Sequence, residues 1–70
     1  MNDVTMRTLK LAHETDRPVI VCYMNDDGFS QRRVYIRKIG EGKITVYCTK
    51  ARGLRTFREE GILSAQLAED

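Results

Sequence analysis

Residues 19–49 form three strand-like segments joined by two short glycine turns, Asn25-Asp26-Asp27-Gly28 and Gly40-Glu41-Gly42. Turns this short can join only antiparallel neighbours, and Asp-Gly is a strong hairpin signal. The chain is therefore committed to a meander. Residues 19–24 are an apolar, β-branched run with no polar face. Such a strand sits centrally, with one side in the core and the other beneath a helix or a partner chain. Residues 30–39 alternate, with Val34 and Ile36 on one face and Arg33, Tyr35 and Arg37 on the other. Residues 43–49 alternate too: Ile44, Val46 and Cys48 point inward, and Lys43, Thr45, Tyr47 and Thr49 point outward.

The flanking segments complete the pattern. Asp3, Arg7, Lys10 and Glu14 make one polar stripe at helical spacing. This predicts a helix over 3–14, with Val4, Leu9, Leu11 and Ala12 on the apolar arc and Met6 at its edge. Asp3 suits the N-cap, and the helix should stop before Pro18. His13 falls at the helix end, where a cation suits the dipole, and has no catalytic role. A turn through Arg52-Gly53 leads to a short strand over 54–58. There Arg55 and Phe57 share one face, and Leu54, Thr56 and Arg58 the other. Glu59-Glu60-Gly61 reads as a tight turn or one 3₁₀ turn, followed by a last strand over 62–67, where a short helix is the alternative. The expected architecture is α+β: an N-terminal helix packed on a five-stranded antiparallel SH3/Sm-like barrel over 18–67, in one domain over 1–70.

Seventy residues allow one domain, and a core this small gives marginal stability that dimerisation would raise. With 41% hydrophobic and 31% charged residues the composition is that of a globular chain. No apolar run approaches a membrane span, and the polar N-terminal pattern is not that of a signal peptide, so a cytoplasmic location is expected. Cys22 and Cys48 lie in apolar strand patterns and read as buried thiols, with a redox role as the alternative. One His and two separated Cys lack the spacing of a zinc site.

The net charge of +2 conceals a strong asymmetry. Residues 29–58 hold nine basic side chains against one acid, Glu41; the rest of the chain holds three basic and nine acidic. A basic face attracts phosphates by Coulomb forces and counterion release. The alternative is a solvated surface balanced by acidic ends. Outward Arg33, Tyr35, Arg37 and Tyr47 would place cations around two aromatic rings, a combination that suits single-stranded nucleic acid. Packing of Arg on Tyr within the free protein is the competing role. Arg52, with Lys50, lies on a turn able to grip phosphate. Tyr23 is expected to be buried with its hydroxyl hydrogen-bonded. No nucleophile–base–acid set, inward carboxylate pair or phosphate-binding glycine loop is present, so an enzyme is not expected, nor a cofactor.

The stretch Cys48-Thr49-Lys50-Ala51-Arg52-Gly53-Leu54-Arg55-Thr56-Phe57-Arg58, followed by Ile62, resembles the C-terminal half of the WYL domain, a small Sm-like barrel found mostly in bacterial transcription regulators. Val19-Ile20-Val21-Cys22-Tyr23 is similar to that family's first strand, and Asp27-Gly28 with Arg33-Val34 to its hairpin and second strand. The likeness spans roughly residues 4–67. The chain departs from the pattern at Gly42-Lys43-Ile44, where only the aliphatic third position of the naming tripeptide is kept, and at Gly61, where the family has Arg. The resemblance implies a divergent, stand-alone ligand-sensing module acting in transcription regulation. It places Arg55 on the ligand-binding surface, where its fork suits phosphate; an ion pair with Glu59, Glu60 or an acid of the N-terminal region is the alternative, and Arg58 is a further anion-binding candidate. One helix cannot supply a helix-turn-helix. The expected partners are therefore single-stranded nucleic acid or a nucleotide-like anion, with a protein that carries its own DNA-binding domain. The competing reading is a protein–protein interaction or oligomerisation module, such as a homodimer, without nucleic-acid binding.

Overall fold

The computed structural model describes residues 3–68; the ends of the expected 1–70 domain, residues 1, 2, 69 and 70, lie outside them. Helix α1 spans Asp3–Thr15, and strands β1 (Pro18–Asn25), β2 (Gly28–Gly40), β3 (Lys43–Cys48), β4 (Gly53–Arg58) and β5 (Ile62–Leu67) follow. A 3₁₀ turn, Glu59–Gly61, joins β4 to β5. The strands form one antiparallel sheet in the order β4-β3-β2-β1-β5. β1 is thus internal, as its apolar run demands, and β4 and β5 are the edges, unpaired with each other.

The sheet is strongly curled. Flat, three inter-strand steps would separate β1 from β4 by about 14 Å. Instead Tyr23 of β1 stacks on Phe57 of β4, ring centroids 4.3 Å apart and planes 28° from parallel. Two bulges assist the bend. In β2 the register shifts between Ile36 and Lys38, so Arg37 is an extra residue and Ile39 returns to the inner face opposite Ile44. In β5 the shift opposite Cys22 and Tyr23 makes Leu63 the extra residue and aligns Ile62 with Tyr23. Gly61 brings the 3₁₀ turn hard against β1: a Cβ there would stand 3.2 Å from the Met24 carbonyl oxygen. The Glu59 amide donates to the Gly42 carbonyl at 2.9 Å, tying the same turn to the β2–β3 hairpin.

The concave face holds the core. Val19, Val21, Val34, Ile36, Ile44, Val46, Cys48 and Ile62 are buried there, and Leu9 and Ala12 of the helix join the same cluster. The helix face differs from the expected arc in one respect. Thr5, Leu9 and Ala12 are buried, whereas Val4 is 70% and Leu11 47% exposed. Positions 5, 9 and 12 follow the i, i+4, i+7 spacing of one stripe; Val4 and Leu11 lie off it. The helix ends in a Schellman motif, with Asp16 N–H donating to His13 and Arg17 N–H to Ala12. Asp16 takes the left-handed position, φ 52°.

One further expectation needs correction. Cys48 is buried, but Cys22 is only half-buried, because β1 turns it to the convex face. The turn through Arg52-Gly53 is present as expected, with Arg52 in the left-handed position, φ 53°.

Arg32 is the anomaly of the inner face. It sits opposite Val21, and its Nε is sealed from solvent with no hydrogen-bond partner among the described residues. An enclosed, unpaired donor costs about 1–3 kcal/mol. Arg32→Met keeps the apolar stem and removes the donor, so its urea midpoint should equal or exceed that of the parent.

Candidate functional site

The register fixes which side chains share the convex face. Tyr35 of β2 lies directly opposite Tyr47 of β3, which lies opposite Leu54 of β4. One step along, Lys38, Thr45 and Thr56 align; beyond them Lys43 lies opposite Arg58. Arg33 precedes Tyr35 by two positions on β2, on the same face. The convex side of β2–β3–β4 therefore carries Arg33, Arg37, Lys38, Lys43 and Arg58 around a cross-strand tyrosine pair. No outward position on these three strands is acidic. Both tyrosines are half-buried, and the Arg and Lys side chains are exposed.

The β2 bulge is what concentrates charge here. Strict alternation would send Lys38 inward; the extra residue keeps Arg37 and Lys38 both outside. Arg37 places its guanidinium carbon 5.7 Å from the Tyr35 ring centre, and its Nη1 donates to Asp16 Oδ1 at 3.3 Å. Both partners are well exposed, so the pair contributes little stability. It does neutralise one cation of the face. Lys38, Lys43 and Arg58 form no ion pair among the described residues. Asp16→Gly should relieve the left-handed strain, about 1 kcal/mol, and release Arg37. Thermal unfolding should show equal or higher stability, and oligonucleotide affinity should rise.

Arg55 lies elsewhere. It pairs with Val46 and so points to the concave side, with Phe57 opposite Ile44. The curl leaves a cleft of about 470 Å³ there, between the end of β1 with its turn and β4 with the 3₁₀ turn. Arg55, Arg58, Asp26 and Glu60 line it, together with Tyr23 and Phe57. No ion pair joins Arg55 to Glu59 or Glu60. Tyr23 is 7% exposed, yet its hydroxyl has no partner among the described residues, contrary to expectation.

Of the residues singled out in the sequence, Arg33, Tyr35, Arg37, Tyr47 and Arg58 converge on one surface. Arg55 shares a cleft with Arg58 but faces the other way, and Arg52 stands apart on the β3–β4 turn. Lys38 joins the surface unanticipated; its signal was the apolar spacing Val34, Ile36, Ile39, two positions and then three. No described helix is long and apolar enough to cross a membrane. No protein-family model matches the chain, and neither a curated protein nor a solved structure matches it.

Proposed function

We propose that the convex face of β2–β3–β4 binds single-stranded nucleic acid or a nucleotide-like anion. The carrying observation is the Tyr35–Tyr47 pair ringed by five cations on strands whose outward positions hold no carboxylate. Exposed Lys and Arg neutralise phosphates, and a ring supplies stacking at about 1–3 kcal/mol per base. Bases are read by their π-faces, so sequence preference is weak. In line with the WYL resemblance, the chain acts in the cytoplasm as a small regulatory module in transcription and operates on a partner that carries the DNA-binding domain. The test is fluorescence anisotropy with a labelled mixed-sequence oligonucleotide over a salt series. Binding should appear at low salt and weaken log-linearly as salt rises; absence of binding at low salt would reject the reading.

Open sheet edges favour a second reading, assembly with other copies or proteins. β4 and β5 each present unpaired backbone groups, with Arg55 and Arg58 on the first and Glu59 and Glu60 leading into the second. Sedimentation should then show self-association that high salt weakens. A monomer at high concentration removes the self-association form of this reading.

A further inference from the structure

The concave cleft is chemically unlike the convex face. Its charged lining is balanced, Arg55 and Arg58 against Asp26 and Glu60. A phosphate-rich ligand would meet as much repulsion as attraction there. Yet the four groups do not satisfy one another, since none forms an ion pair within 4.0 Å among the described residues. Charges of both signs lining one concavity, and left unpaired, are complementary to a ligand that itself carries both signs.

Tyr23 supplies an independent observation. Nine-tenths of it is buried, its ring is stacked on Phe57, and it lines the cleft. Its hydroxyl has no hydrogen-bond partner among the described residues, and it is not sealed off as Arg32 Nε is. A phenol held rigidly beside a cleft, with its hydroxyl still open to solvent, keeps hydrogen-bonding capacity for a ligand acceptor. The Tyr23–Phe57 stack holds that donor in place, and the two rings give the cleft an apolar wall. The volume, about 470 Å³, lies within the range of small-molecule sites.

We propose that this cleft is a site for a small zwitterion of the amino-acid class. The ligand carboxylate is taken by Arg55 with the Tyr23 hydroxyl, and the ammonium by Asp26 and Glu60, with Arg58 at the rim. This proposal does not rest on nucleic-acid binding, because its residues, Arg58 apart, lie off the convex face.

The experiment is an amide-shift titration of the full chain with the common L-amino acids, singly. At least one should move the amides of residues 24–26 and 55–61. Its N-acetyl and its carboxamide derivatives, each lacking one charge, should bind about tenfold more weakly or worse. Arg55→Gln and Glu60→Gln should each weaken binding by a similar factor, with thermal unfolding unchanged because both side chains are exposed. Tyr23→Phe should weaken it severalfold, and Lys38→Glu on the convex face should leave it unchanged. Three outcomes would overturn the proposal: no amino acid moves these amides; the blocked derivatives bind as well as the parent; or inorganic phosphate moves the same amides equally, which would make the cleft a plain anion site.

Discussion

Leu9→Ala is expected to cost about 2–5 kcal/mol, while Leu11→Ala, two residues away, should cost under about 0.5 kcal/mol. Leu9 is fully buried against the concave face; Leu11 is half exposed. The first truncation removes apolar contact and leaves a cavity that the curled sheet cannot readily close, because Val19 and Val34 of the same core cluster are fixed in paired strands. A 70-residue domain has roughly 3.5–10 kcal/mol of stability in all. Leu9→Ala should therefore remove a large share of that stability. Urea unfolding followed by circular dichroism measures both variants. Equal losses would mean that the helix is rotated from the orientation described.

The largest effect on binding is expected from charge reversal on the convex face. Arg37→Glu, Lys38→Glu and Lys43→Glu together replace three cations by three anions within one surface. Each lost phosphate contact should reduce the salt slope by about one, and the combined change should lower affinity at low salt by about 100-fold or more. The three side chains are exposed and sit outside the core, so the fold should persist. Folded triple mutant with undiminished oligonucleotide binding would place the interface somewhere else.

Much of this architecture was legible in the chain. The glycine turns fixed an antiparallel meander, and the period-2 pattern of residues 43–48 assigned every inward side chain of β3 correctly. Pro18 marked the start of β1. The bulges were less visible, although the spacings Val34–Ile36–Ile39 and Ile62–Ala65–Leu67 encode them: an apolar step of three inside a period of two requires an extra residue. The helix face was misread at Val4 because hydrophobicity alone does not say which edge of an arc meets the sheet; Thr5 does so instead. The cleft could not be read at all. It exists because β1 and β4, more than thirty residues apart, meet across a curl whose depth depends on both bulges and on the close approach of Gly61 to Met24.

The central claim is that one face of the sheet, β2–β3–β4, receives the nucleic acid. Its most direct test is an amide-shift map of the labelled protein titrated with a single-stranded oligonucleotide at low salt. The expected result is a contiguous set of shifts over residues 33–38, 43–47 and 54–58, with helix α1 and β5 unmoved. Shifts confined to the helix, to β5 or to the concave cleft, or no shifts at all, would contradict it.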